Sequence, residues 1–287
     1  NPVLYEITEI QQNLSRQSSF LLRVYPKGAE PLWIYLGIRN LPIGKIPPSL
    51  QGGQAYVFRN GQFHLTFLPK EGPKKEASQT IAKLRITEKG DLKGIFTLVL
   101  PGTQGARIKE FVKNRPTYWR KNVVESILNR FYPGARVIQY AFLNLQDPGK
   151  DLKVQAHFFI SRYVEKRGNL YRVRLGIQPL FLTRVFGGKA RRVHPILFTS
   201  SSKVFSRISL RLAPNWGFAK VPSSIVLERK MGKYFYQTRW EEKELSIQRN
   251  FMINPFRLPS KDFKKLLKWC QLIDQQERKA VFIQRIP

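Results

Sequence analysis

The chain has 287 residues, 42% of them hydrophobic, and its 50 Lys+Arg against 19 Asp+Glu give a formal charge of +31. That apolar fraction and an aromatic content of 13% exclude a disordered polycation and can supply a sizeable core. The charge favours an anionic partner by long-range attraction, without choosing among nucleic acid, lipid headgroups, acidic glycans and acidic proteins.

One cysteine, Cys270, excludes an intramolecular disulfide and a cysteine-rich zinc site. No apolar run approaches the roughly 18–20 residues that span a bilayer. Asn1 opens no signal peptide, and a start at Asn suggests a processed or partial chain.

Residues 20–25 and 32–36 are apolar runs rich in β-formers, joined by Pro26-Lys27-Gly28-Ala29-Glu30-Pro31, which predicts a hairpin with a long loop. Two strands are not stable alone, so this hairpin must dock onto something else. From Trp33 to Phe58 the chain turns through Leu41-Pro42-Ile43-Gly44 and Ile46-Pro47-Pro48 before a second apolar run at 55–58. In residues 62–68, Phe63, Leu65 and Phe67 alternate with Gln62, His64 and Thr66, the period of a strand. Residues 80–87 and 92–100 flank Glu88-Lys89-Gly90-Asp91, a hairpin turn, and the region reads as an antiparallel meander.

The period changes in residues 104–131. Val123, Val124, Ile127, Leu128 and Phe131 share one helical face, Pro133-Gly134 ends it, and Pro116 divides a short first helix from a longer second one. Arg107, Lys109, Lys113, Arg115, Arg120, Lys121, Arg130 and Arg136 make this segment a basic face or a solvated helix surface. Strands are predicted at 136–145 and 153–164, and an apolar run follows at 171–182. Next comes the densest charge cluster, Arg184 to Arg192; its Gly187-Gly188-Lys189 lacks the spacing of a phosphate-binding loop.

Further on, Ile208, Leu210 and Leu212 alternate with Ser209 and Arg211. A hairpin is predicted over 225–228 and 234–240, and a strand at 245–253. Ser260 is the expected N-cap of a last helix, with Phe263, Leu266, Leu267, Cys270 and Ile273 as its buried stripe. Residues 280–284 close the chain as a strand. The fold class is therefore mainly β with α, an α+β arrangement of antiparallel sheets with a helical segment near 105–132 and a C-terminal helix near 260–275. The expected divisions are 1–45, 46–182 and 183–287.

A thiol enzyme needs a Cys activated by a neighbouring His. Here the cysteine lies on a core-facing stripe, His64, His157 and His194 are scattered, and their spacings match no common zinc pattern. The residues therefore predict no catalysis, no metal and no cofactor. The candidate anion site is the basic loop with Arg184, Lys189, Arg191 and Arg192, where arginine offers bidentate geometry to phosphate or carboxylate. The alternative is a nucleic-acid platform built from Tyr163, Tyr171, Arg172 and Arg174.

The order of the segments resembles the carboxy-terminal β-rich region of bacterial transglutaminase-like proteins of the cell envelope. The hairpin, the turn Leu41-Pro42-Ile43-Gly44-Lys45-Ile46-Pro47-Pro48, the Gly90-Asp91-Leu92-Lys93-Gly94 turn, Phe131-Tyr132-Pro133-Gly134-Ala135 and the closing strands and helix carry that likeness. The resemblance implies a hairpin, 1–45, from the end of the catalytic core, then an accessory β region. In such proteins the catalytic histidine and aspartate lie on this hairpin, with Phe20 and Trp33 as landmarks; the positions fall here on Leu22 and Tyr35, and the nucleophilic cysteine falls upstream of Asn1. Leucine accepts no thiol proton and a phenol supplies no carboxylate. The resemblance thus implies a non-catalytic binding or scaffolding module of the bacterial envelope or periplasm, engaging an anionic protein, glycan or lipid headgroup. A split enzyme completed by another chain is a further reading, which Leu22 and Tyr35 oppose.

Overall fold

The structure is a computed structural model that describes residues 4–11, 18–59, 61–70, 77–187, 192–198 and 201–286. In chain order it runs β1 (Leu4–Gln11), β2 (Ser18–Tyr25), β3 (Leu32–Tyr35), β4 (Gln54–Arg59), β5 (Gln62–Phe67), β6 (Ala77–Ile86), β7 (Leu92–Leu100), α1 (Gly102–Val112), α2 (Thr117–Asn129), β8 (Arg136–Leu143) and β9 (Leu152–Ile160). It continues through β10 (Glu165–Arg167), β11 (Leu170–Val173), α3 (Leu182–Phe186), β12 (Ile196–Phe198), β13 (Ser202–Leu212), β14 (Trp216–Lys220), β15 (Ile225–Arg229), β16 (Gly232–Glu241), β17 (Glu244–Ile253), β18 (Phe256–Leu258), α4 (Phe263–Arg278) and β19 (Val281–Arg285). The α+β class, the two helices flanking Pro116 and the C-terminal helix are all present.

The predicted hairpin, β2 with β3, docks into a five-stranded antiparallel sheet of order β3-β2-β1-β4-β5. One face of that sheet is packed: Leu21, Trp33, Ala55 and Val57 are buried against Ile46, Leu50 and Leu68. The Pro/Gly stretch supplies the cover. It is tied down where Gly44 N–H donates to the Trp33 carbonyl at 3.0 Å and Gln51 Nε2 donates to the Ile46 carbonyl at 3.1 Å. The other face carries Phe58, Phe63, Leu65 and Phe67 in cross-strand neighbourhood, all of them exposed.

The main body is an eight-stranded sheet of order β15-β16-β17-β13-β6-β7-β9-β8. Six of its seven strand pairs are antiparallel, the predicted β6–β7 and β15–β16 hairpins among them; β13 and β6 instead run parallel, from Lys203↔Ala77 to Leu212↔Ile86. The turn between β6 and β7 is built on Gly90, whose φ of +84° lies in the left-handed region that an L side chain enters at a cost. Both expected division points are crossed by sheets. The β13–β6 ladder joins residues on either side of 182, and β4 and β5 complete the hairpin's sheet across 45. The reason is edge pairing: β6 would be a bare edge without β13, and a two-stranded hairpin could not hold a face of its own.

Along the eight strands alternate side chains enter one core, including Leu84, Phe96, Phe158, Leu210 and Ile247. Val112, Val124 and Leu128 of α1 and α2 belong to the same cluster, as do Leu266, Cys270 and Ile273 of α4. The helices therefore cover one face of the sheet and leave the other to solvent, the usual economy of an antiparallel sheet. A four-stranded sheet, β10-β11-β19-β14, buries Val173, Trp216, Val281 and Ile283 in the same core.

At the start of α4 the expected cap differs. Ser260–Asp262 form a 3-10 turn, and Asp262 takes the N-cap position without a side-chain capping bond. Its carboxylate instead meets Lys265 at 2.9 Å. Phe263, Leu266, Cys270 and Ile273 of the expected stripe are buried, with Trp269 and Gln276 added, while Leu267 is half-buried at its edge.

Candidate anion-binding face

The open face of the eight-stranded sheet is made by the residues that alternate with the core. On β6 these are Lys83 and Arg85, on β7 Lys93 and Ile95, on β13 Arg207, Ser209 and Arg211, on β17 Glu244 and Ser246, and on β16 Arg239. All of them are exposed. The register converts these short local patterns into one surface. Arg239 stands opposite Ser246, Ser246 opposite Ser209, Ser209 opposite Lys83, Lys83 opposite Ile95, and Ile95 opposite His157.

Ser209 is the centre of the pattern. Facing residues in adjacent strands lie about 4.5–5.5 Å apart at Cβ, and alternate residues of one strand about 6.6 Å apart. Ser209 is therefore bordered by Lys83 across one ladder, by Ser246 across the other, and by Arg207 and Arg211 along its own strand. Arg85 and Arg239 stand one step further out. Two small hydroxyl side chains between long cations leave a depression, which is part of a groove of about 700 Å³. The groove reaches from Trp240 on β16 to Ile138 at the bulge of β8, and a smaller polar cleft around Arg207, Gln237 and Gln248 opens beside it.

The electrostatics are one-sided. Among the described residues, Lys83, Arg85, Lys93, Arg207 and Arg239 have no carboxylate within ion-pair distance. Arg211 meets Glu244 at 3.3 Å, but both side chains are about 70% exposed and such a pair contributes little. Glu241 and Glu244, which face each other across β16 and β17, form the acidic limit of the surface. Like charges held this close repel one another, and an anion seated among them relieves that repulsion.

The sequence-predicted site residues lie elsewhere. Arg184 is exposed in the last turn of α3. Arg192 is spent on the fold: its guanidinium donates to the Phe186 carbonyl at 3.3 Å and lies 5.1 Å from the ring centre of Phe263. Lys189 and Arg191 lie outside the described residues. The proposed platform is similarly occupied. Tyr171 packs edge-on against Trp216 at 4.9 Å, the Tyr163 hydroxyl donates to the Arg174 carbonyl, and Arg174 pairs with Glu165 at 2.6 Å. Arg172 lies opposite Phe282 in the β11–β19 ladder, half-buried. Burial pushes the Tyr163 hydroxyl above its ordinary range, as expected of a ring held in a packed setting.

The helical segment read as a basic face is partly internal. Lys109 is only 2% exposed and donates to the carbonyls of Asp147 and Lys150; Arg120 donates to the carbonyls of Val112 and Lys113. Burial lowers the Lys109 ammonium below its usual range, a shift opposed by Asp147 and Asp151. Cys270 is fully buried, and burial, with Asp274 nearby, pushes its thiol up to about 12. It has none of the thiolate character that nucleophilic chemistry needs.

On the hairpin, Tyr35 faces Leu21 and Leu22 faces Ile34, so the positions carried over from the envelope family point to opposite faces. An imidazole and a carboxylate must share a face to hydrogen-bond. Neither β2, SSFLLRVY, nor β3, LWIY, contains a His, Asp, Glu or Cys in any register.

The cations at Lys83, Arg85, Arg207, Arg211 and Arg239 form a candidate site that the sequence did not announce. Their trace is local alternation of cations with core residues, in Lys83-Leu84-Arg85 and in Arg207 to Arg211. Alternation alone says that a strand is half-exposed, not that two such strands are neighbours.

Comparison with known proteins adds a family match in the second half of the chain: residues 171–283 match a family described as a Domain of Unknown Function with solved-structure structure (DUF3858). Among solved structures, a protein of Parabacteroides distasonis described as a candidate protease shares 7% identity at a TM-score of 0.46, covering 99% of this chain. The chain spans 40% of that protein's length. No curated protein matches.

Proposed function

We propose that this chain is a non-catalytic binding module whose basic sheet face engages an anionic partner, as the accessory part of a degenerate transglutaminase-like protein of the bacterial envelope. The observation that carries the reading is the gathering of Lys83, Arg85, Arg207 and Arg239 around Ser209 without carboxylate partners among the described residues. A family match to a domain of unknown function over 171–283 agrees with the β-rich accessory region that the resemblance implies. The absence of His, Asp, Glu and Cys from β2 and β3 supports the non-catalytic part, since no proton acceptor stands where the family's acid–base pair would.

Nucleic acid is the weaker partner class. Stacking on bases needs free aromatic faces, and Tyr163 and Tyr171 are engaged within the protein.

The test compares two double charge reversals of equal net effect on retention by an immobilised anionic polymer over a salt gradient. Arg85→Glu with Arg239→Glu alters the sheet face; Lys166→Glu with Arg184→Glu alters exposed cations elsewhere. The sheet-face variant is expected to elute at markedly lower salt than the control variant, because clustered cations release more counterions together than dispersed ones. Equal losses in the two variants would mean that the charge acts as a diffuse whole, and the site would be withdrawn.

A further inference from the structure

Resting on that reading of the basic face, we infer that the groove takes a phosphate-bearing amphiphile, with its phosphate over Ser209 and Ser246 and its apolar chain along Ile95 and Ile138.

Two features of the groove point to this class. The first is the arrangement of donors. Ser209 and Ser246 face each other across the β13–β17 ladder and present two hydroxyls from the floor. Lys83 borders the pair on one side and Arg239 on the other, while Arg207 and Arg211 stand along β13. Donors thus converge from below and from four sides. A tetrahedral phosphate offers three oxygens in different directions and suits such a ring, whereas the two oxygens of a planar carboxylate accept mainly within one plane. Lysine and arginine together suit a multiply charged oxyanion, one as a compact charge and the other as a fork.

The second feature is what continues from the cradle. Beyond Lys83 the row goes on through Ile95 and His157 to Ile138 at the bulge of β8, so that no further cation follows and two isoleucines flank the histidine. These two isoleucine side chains are 43% and 71% exposed, and both line the groove. Exposed singly they would need no explanation; together at one end of a cation cradle they provide an apolar track leading away from it. A bare polyanion would leave that track wet, and an uncharged lipid would leave the cations unpaired. A phosphate attached to an alkyl chain satisfies both, each methylene removed from water adding to the affinity.

The experiment is titration calorimetry of the full chain with decyl phosphate below its micelle concentration, with inorganic phosphate, and with decyl maltoside as the uncharged chain. Decyl phosphate should bind at least tenfold more tightly than either control. Ser209→Val, which fills the floor at an exposed strand position, should remove that tight binding. Ile138→Ser should narrow the tenfold advantage over inorganic phosphate while leaving inorganic phosphate binding unchanged. Co-sedimentation with phosphatidylglycerol vesicles, compared with phosphatidylcholine vesicles, separates two sources of the same chemistry. Binding to the former places the amphiphile in a membrane, binding of the monomer alone places it in solution, and both uphold the inference. Equal affinities for decyl phosphate and inorganic phosphate, or a decyl phosphate affinity untouched by both variants, would overturn it and leave the anion-binding face standing. Loss of polymer retention specificity in the charge-reversal test would remove the underlying reading itself.

Discussion

Arg249 and Glu277 illustrate how much of this basic chain's charge is structural. Their side chains are 2% and 0% exposed and meet at 2.8 Å; the guanidinium also donates to Ser206 Oγ and the Gln178 carbonyl, and the second carboxylate oxygen accepts from Leu180 N–H. The pair fastens α4 to β17 and to the segment leading into α3. Burial raises the Glu277 carboxyl, and Arg249 and Leu180 N–H pull it back. Arg249→Met removes the main opposing influence and leaves a buried acid, so the folded-state value rises further above the unfolded one. A group raised in this way contributes fully below its unfolded value and loses that contribution as pH climbs through the folded one. The variant should therefore be destabilised by about 3–5 kcal/mol near neutrality, and by less at pH 5 than at pH 8. Urea unfolding at the two pH values checks it; an equal loss at both would mean that Glu277 does not take up the proton.

At the scale of elements, Lys109 shows where local reading stops. Helical periodicity divided α1 from α2 at Pro116 correctly, and the alternation in β13 and the stripe of α4 gave the buried faces, because those depend only on neighbours within a turn or a strand. Lys109 counted as one more surface cation. Its burial is caused by two carbonyls that lie 38 and 41 residues away, in the loop between β8 and β9. Replacing it by methionine should cost about 1–3 kcal/mol, since both carbonyls then lose their donor. Amide exchange in residues 146–150 should accelerate more than in the body of α1, and unchanged exchange there would show that the lysine does not hold the loop. The cation cradle was illegible for the same reason. Lys83 and Ser209 meet only through the parallel β6–β13 ladder, and in a sheet whose other pairs are antiparallel no turn or crossover between adjacent elements announces it. The hidden part is thus long-range pairing, while local elements were largely readable.

On the scale of the whole molecule, two buried clusters divide the structure: one within residues 21–68, the other from Ala82 to Ile283, with no residue in common. Among the described residues the smaller sheet packs one of its faces, and Phe63 and Phe67 on the other are 65% and 64% exposed. Apolar area of that kind draws molecules together, yet the chain carries a formal charge of +31. At low salt the repulsion between two such polycations opposes any approach of their bare sheet faces. The screening length falls from about 10 Å at 0.1 M to about 3 Å at 1 M salt, while the attraction between apolar surfaces does not weaken. Self-association should therefore grow with salt, the reverse of the behaviour expected of anion binding at the eight-stranded sheet. Sedimentation velocity at 0.1 M and 1 M sodium chloride reads this directly. Leu65→Lys with Phe67→Lys, at two exposed positions of β5, should keep the protein monomeric at both salts and leave retention on an anionic polymer no weaker than before. Association that persists in this variant would place the contact elsewhere on the molecule, and a monomer at 1 M salt in the unmodified chain would show that the apolar face is too small to hold two copies together.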